Sequence, residues 1–308
     1  MAWAPQAALV WAVAYGSLRF YWALAGAPSF PPIGTDLIAF TGWAAVGLCA
    51  AAAAVTLALR TAPWRRLLVV AAWGVSAALL AACPLLLIDV VGRLLPGLGL
   101  PFHPVAFVSR AACLAGAGLV GAATVAYRRR WRSACLFCGR TDESRSWAQP
   151  PRWAWWAAYA AVAGCLVRLV AQVAVGFDSS PLTGGGSVLG FEAGFVLAGT
   201  VLPLALVHSW GRVVPGWTPL LAGRRVPRWL LLAPAVAIAG GLTIYFGIGT
   251  VQLAVETLTG TWDGGGSSLP LAFFWVAMPA YLVWGLGLGA TALAYRQTTR
   301  PRCRVCGC

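Results

Sequence analysis

The chain reads as an all-α polytopic membrane protein. Three observations point there: 60% of its 308 residues are apolar against 10% charged, its mean hydropathy is +0.78, and apolar runs of about 20 residues recur along its length. A chain this apolar takes the bilayer as its solvent and satisfies its backbone inside helices. The formal net charge of +14 does not imply nucleic acid. All but four of the 22 basic residues, every one an arginine, fall in short polar stretches between apolar runs or at the carboxy terminus, not along a solvated stripe. Abundant Ala, Gly, Pro, Arg and Trp without Lys fits a GC-rich bacterial genome, and with it the bacterial plasma membrane.

Eight runs are long enough to cross: 5–25, 37–59, 67–91, 104–127, 153–176, 188–210, 229–251 with a run-on to Glu256, and 269–295. The first ends on Ala25-Gly26-Ala27, which resembles a cleavage site. No basic residue precedes it, Arg19 interrupts it, and it has a counterpart later in the chain, so it is expected to stay as a helix. Pro84, Pro203, Pro234 and Pro279 fall inside spans and predict kinks. Tryptophans such as Trp3, Trp64, Trp131, Trp153, Trp210 and Trp229 sit at span ends, as interfacial anchors do.

The arginines orient the spans. Arg60, Arg65 and Arg66 join spans two and three; Arg128, Arg129, Arg130, Arg132, Arg140, Arg145 and Arg152 join four and five; Arg212, Arg224, Arg225 and Arg228 join six and seven; Arg296, Arg300, Arg302 and Arg304 close the chain. The opposite loops hold only Arg93. The positive-inside rule then places both termini in the cytoplasm, with the basic face toward anionic lipid headgroups. Two outer loops contain Gly-Gly-Gly-Ser, at Gly184 and Gly264. Without a preceding strand or a following Gly-Lys-Ser/Thr they are flexible linkers, not phosphate cradles.

The chain repeats itself. Gly121–Gly139 reads GAATVAYRRRWRSACLFCG and Gly289–Gly307 reads GATALAYRQTTRPRCRVCG, so one constant shift, from 121 to 289, superposes Ala-Tyr-Arg, both cysteines and the final glycine. More loosely, Gly16-Ser-Leu-Arg19 matches Gly164-Cys-Leu-Val-Arg168, each ahead of a helix-ending glycine, Gly26 or Gly176, and Leu-Ile-Asp89-Val-Val-Gly matches Ala-Val-Glu256-Thr-Leu-Thr-Gly. Four spans per half bring each half back to the side it started from. Two parallel four-helix repeats follow, related by a pseudo-twofold axis along the membrane normal: 1–139, a cytoplasmic linker 140–152, and 153–308.

Residues 19–26, RFYWALAG, resemble the first helix of an uncharacterised bacterial family of small four-helix membrane proteins, in which a Tyr-Trp-Ala-Leu run ends in Gly-Gly. Ala25 stands here for the first of those glycines, and the second half keeps Arg168 and Gly176. The resemblance covers about the first quarter of the chain; it implies four helices as the evolutionary unit and no activity.

Cys135-x-x-Cys138-Gly and Cys303-x-x-Cys306-Gly are knuckles whose spacing points two thiolates at one ion, the glycine allowing the tight turn. Two knuckles make four ligands, and a structural Zn²⁺ held by Cys135, Cys138, Cys303 and Cys306 is the expectation. The same pairs could cycle as a redox dithiol, which would make the protein a membrane thiol-disulfide oxidoreductase, although that motif normally sits in a βαβ unit. Gly116, Gly118, Gly121, Gly285, Gly287 and Gly289 are expected to let spans four and eight approach each other and close the clasp. Cys308 is a spare thiol, and Cys49, Cys83, Cys113 and Cys165 are small packing residues.

Ionisable residues inside the spans form the second signal, because an arginine at mid-membrane costs about 3 kcal/mol on insertion scales. Arg19, Asp89, Arg110, Arg168, Glu192 and Glu256 all fall in the outer part of their helices. The expected pairs are Arg19 with Asp89 and Arg168 with Glu256. They serve either as structural ion pairs or as an outer vestibule for a small anionic or zwitterionic molecule or lipid. His208 reads as an interfacial residue and His103 as a loop residue. The functional expectation is non-enzymatic binding or transport; the other readings are the oxidoreductase and an assembly protein recruiting a partner through its basic face.

Overall fold

The computed structural model describes residues 3–26, 28, 42–95, 98, 102–131, 135, 149–176, 185–214 (185–187 in backbone only), 216, 222–264, 269–300 and 303. Among them the chain is helical: α1 (Ala4–Ala25), α2 (Gly42–Thr61), α3 (Arg66–Ala81), α4 (Leu86–Leu94), α5 (Pro104–Trp131), α6 (Arg152–Val175), α7 (Gly185–Val207), α8 (Arg228–Thr259) and α9 (Leu271–Thr298). Prolines mark helix starts, at Pro5, Pro104, Pro151, Pro227 and Pro270, where a missing N–H costs nothing. Gly26, Gly176 and Gly260 end α1, α6 and α8 at positive φ of 92°, 85° and 69°, a backbone state open to glycine.

Among the described residues six helices are long and apolar enough to cross a membrane: α2, α5, α6, α7 from Val188, α8 and α9. The pair α3 and α4 makes a seventh candidate, bent by 41° at its break. Pro84 lies in that break, where the ladder loses a donor. Pro203, Pro234 and Pro279, by contrast, lie within α7, α8 and α9. The seventh apolar run does extend past Glu256, as α8 ends at Thr259. α1 spans 22 residues, yet Gln6, Ser17 and Arg19 leave it less apolar than the others, and it is not among the six.

α1 turns small residues inward and large apolar ones such as Val10, Tyr21 and Leu24 outward. On α1 the buried stripe is Ala4, Ala8, Ala12, Tyr15 and Arg19, at the three- and four-residue steps of one helix face. Leu67 and Leu258, at 82% and 87% exposure, show where large apolar side chains go instead. Small residues inside let backbones approach; large aliphatics outside suit lipid.

The chain divides into two compact units: Met1–Leu86 with Phe102–Arg145 and Pro301–Cys308, and Leu87–Pro101 with Ser146–Arg300. In the first, α1 packs on α2 and α5, α3 on α2 and α5, and α2 also touches α5. In the second, α6 packs on α7 and α9, α8 on α7 and α9, and α7 also touches α9. Taken in chain order, the same pairs among four helices meet in both.

The closest approaches lie within units. A Cβ on Gly164 would come 2.5 Å from the Ala280 carbonyl oxygen, one on Gly287 2.5 Å from that of Ala157, and one on Gly285 2.9 Å from the Thr243 nitrogen. Gly116 receives the Trp11 ring. Of the glycines expected to join spans four and eight, Gly118 is exposed with open space where a Cβ would stand, and the other five have neighbours in their own units: Gly116 faces α1, Gly121 faces Ser76 and Trp73 on α3, Gly287 faces α6, and Gly285 and Gly289 face α8. In the second unit the most extensive pairings are those of α9 with α6 and α8.

Candidate functional site

In the first unit the site grows from the buried stripe of α1. Arg19 lies one turn beyond Tyr15 and is 6% exposed. Its Nε and Nη2 both donate to the Tyr15 hydroxyl, at 3.0 and 2.7 Å, and Nη2 also donates to Ser109 Oγ of α5 at 2.8 Å. With its lone pairs taken, the Tyr15 hydroxyl turns its proton to Ser109, whose carbonyl oxygen and Oγ lie 3.2 and 2.9 Å away. The guanidinium also lies over the rings of Tyr15 and Trp22, at 5.1 and 5.3 Å. Trp11 stacks on Tyr15 at 5.4 Å.

In the second unit Arg168 of α6 is 8% exposed. Its Nε donates to the Tyr281 hydroxyl of α9 at 2.6 Å. Nη1 and Nη2 meet the two carboxylate oxygens of Glu192 of α7 at 3.2 and 3.5 Å, the planar fork that arginine makes with a carboxylate. Phe195 lies against the guanidinium at 4.8 Å. Tyr281 stacks on Phe246 at 3.9 Å and on Trp284 at 6.2 Å. Three helices are therefore tied through one side chain.

The expected pairing of Arg168 with Glu256 does not form. Glu192, one helix along the chain, reaches the guanidinium instead, and Glu256 accepts a hydrogen bond from Gln252 Nε2 at 2.7 Å, four residues back on α8. Periodicity could not choose between two acids at one depth; the choice depends on which helix packs beside α6. Arg19 and Asp89 belong to different compact units, and Asp89 is buried on α4 at 6% exposure, so their pairing stays a proposal. Arg110 lies on α5 next to Ser109.

Uncharged hydroxyls, which charge patterning does not reveal, complete both sites. Tyr15, Ser109 and Tyr281 carry no charge, and the signal available was Tyr15 standing four residues from Arg19 on one helix. A second tyrosine pair, Tyr127 and Tyr295, stands in the two matching stretches. Tyr127, ending the fourth helix of the first unit, donates to the Pro63 carbonyl oxygen at 2.5 Å and accepts from the Arg65 N–H at 3.1 Å. Tyr295, ending the fourth helix of the second, donates to the Gly211 carbonyl oxygen at 3.2 Å. Each closes the link between its unit's second and third packed helices by answering a backbone carbonyl there.

His208 sits edge-on to Trp155 at 4.7 Å and stacks near Trp210 at 6.2 Å, an aromatic setting at a helix end; His103 is an exposed loop residue. Cys49, Cys113 and Cys165 are buried packing residues at 0 or 1% exposure, as is Cys83, which donates to the Leu80 carbonyl oxygen at 3.3 Å. Cys135 and Cys303 are half-buried, and both fall in the first compact unit. Cys138, Cys306 and Cys308 lie outside the described residues, as do Arg132, Arg140, Arg302 and Arg304. Among the described residues no cluster of three or more His, Cys, Asp or Glu side chains forms. No protein family, curated protein or solved structure matches this chain.

Proposed function

We propose that this is a non-enzymatic bacterial plasma-membrane protein of eight spans in two parallel four-helix repeats, with both termini cytoplasmic. Its two Cys-x-x-Cys knuckles close on one structural Zn²⁺, and its basic cytoplasmic face recruits a protein partner or anionic lipid. The observation that carries the clasp is that Cys135 and Cys303, so far apart in sequence, fall in one compact unit and are both half-buried. Four thiolates with no open position make a closed, structural site. The repeat is supported by the shared order of helix packing and by the equivalent tyrosine closures at Pro63 and Gly211. Arg168 supports a structural role for the charged layer, since Glu192 and Tyr281 already satisfy it.

Binding or transport of a small anionic or zwitterionic molecule in the layer of Arg19, Asp89, Arg110, Arg168, Glu192 and Glu256 is the second reading. One observation favours it. Beside each arginine–tyrosine pair lies a tryptophan, Trp11 or Trp284, whose buried Nε1 has no hydrogen-bond partner among the described residues, and a buried donor of that kind favours an acceptor brought by a ligand.

Metal analysis of the purified protein tests the clasp. One zinc per chain is expected, with the knuckle thiols resisting alkylation until the protein is denatured, and the C135S/C303S variant should lose the metal. A metal-free protein whose Cys135 and Cys303 alkylate freely, or cycle with a dithiol reductant, would replace the clasp by the oxidoreductase.

A further inference from the structure

We infer that the inner end of the second unit binds the phosphate of an anionic phospholipid headgroup on an arginine-bearing β-ribbon between α7 and α8. After the turn Ser209–Gly211 the chain forms a short antiparallel ribbon. Val213 bridges to Arg225, Val214 N–H donates to the Arg224 carbonyl oxygen at 2.9 Å, and Val226 N–H to that of Arg212 at 2.9 Å. Directly opposed residues share a face, so Arg212 and Arg224 lie on one face and Arg225 on the other. The Tyr295 hydrogen bond to Gly211 and the Trp155–His208 contact hold this ribbon at the end of the unit where α6 begins and α9 finishes.

The charge there is one-signed. Arg152, Arg212, Arg224, Arg225, Arg228 and Arg296 gather at this end, and residues 208–228 contain no Asp or Glu. Arg224 and Arg225 are exposed. Arg212 is different: its Nε is buried and has no hydrogen-bond partner among the described residues. A guanidinium with a buried, unanswered donor is held for an anion from outside the chain. Trp210 and Trp229 flank the ribbon at 36% and 64% exposure, as residues at the headgroup level of a bilayer do. The occupant is thus placed by the aromatic belt, and its charge by the arginines. The site is independent of the zinc clasp, whose cysteines belong to the other unit.

Native mass spectrometry of the full chain in a neutral detergent tests this by titration with dioleoyl-phosphatidylglycerol, dioleoyl-phosphatidylcholine and inorganic phosphate. Phosphatidylglycerol should bind about tenfold more tightly than phosphatidylcholine, and R224Q/R225Q should lower its affinity by about tenfold, given the pull of each basic residue on an anionic lipid. R224K/R225K should keep most of it. R212Q should lose the lipid without lowering the melting temperature, because the buried Arg212 Nε has no hydrogen-bond partner among the described residues. Equal binding of the two lipids, displacement of phosphatidylglycerol by millimolar inorganic phosphate, or unchanged binding in both R212Q and R224Q/R225Q would overturn the proposal; the last would leave the patch to a protein partner.

Discussion

Each unit buries an arginine that a tyrosine hydroxyl meets, Arg19 and Arg168, and the tyrosine stands on a different helix in each. Arg168 faces a carboxylate, Glu192, and a hydroxyl from a third helix. Arg19 shares the hydroxyl of its own helix neighbour Tyr15 with Ser109 of α5. Setting Arg19 on Arg168 places Tyr15 on Gly164 and Gly16 on Cys165, while the shift of the twin tails places Cys113 on Tyr281 and Gly116 on Trp284. Under the proposed repeat the tyrosine lies on the first helix of one unit and on the fourth helix of the other, and its hydroxyl meets the guanidinium in both. Under that superposition a large side chain and a small one stand exchanged between helices, and the filled space is kept.

Breaking the Arg168 arrangement should have the largest effect. E192A leaves a buried guanidinium without its counter-charge, a change worth about 3–5 kcal/mol. Denaturant unfolding in micelles should therefore show a large loss for E192A, and an R168L/E192L double replacement should recover most of it. If the double variant is no better than E192A, Glu192 contributes packing and not charge pairing. Y15F tests the other unit and should cost about 2 kcal/mol, within the range for a hydrogen bond to a charged group. Its partner variant Y281F removes one bond from Arg168, against the two that Y15F removes from Arg19, and should cost less. A reversed order would mean that Arg19 depends chiefly on groups other than the Tyr15 hydroxyl.

Much of this was legible in the sequence, in unequal measure. Helix positions followed from apolar length because hydrocarbon thickness is a ruler, and Gly26 and Gly176 marked helix ends because both sit at positive φ. The break at Pro84 was legible for the same kind of local reason. Helix neighbours were not. Whether Arg168 meets Glu192 or Glu256 is decided by which helix lies against α6, and nothing in a periodic pattern encodes that. The glycines of the fourth helices were recognised as contact residues, but small residues say that something comes close without saying what. Tyr127 and Tyr295 stood in the duplicated stretch from the start; their role needed the connection they close to be seen.

The exchange of large and small side chains makes the finest prediction. In the first unit Gly16 of α1 lies under Cys49 of α2, where an added Cβ would stand 3.2 Å from the Cys49 Cβ. In the second unit the order is reversed, and Cys165 of α6 fills the space over Gly199 of α7. Placing a cysteine at both positions overfills the contact, so G16C alone should destabilise by about 1–3 kcal/mol. Adding C49G turns the first unit's pair into the second unit's pattern, and should recover about half or more of that loss, with glycine's helix penalty of about 1 kcal/mol setting the remainder. A double-mutant cycle over G16C, C49G and the pair measures the coupling directly. Additive losses would show that the contact tolerates only its native arrangement. Coupling of opposite sign to the single losses is the result expected of two units that descend from one four-helix ancestor and have repacked along different routes.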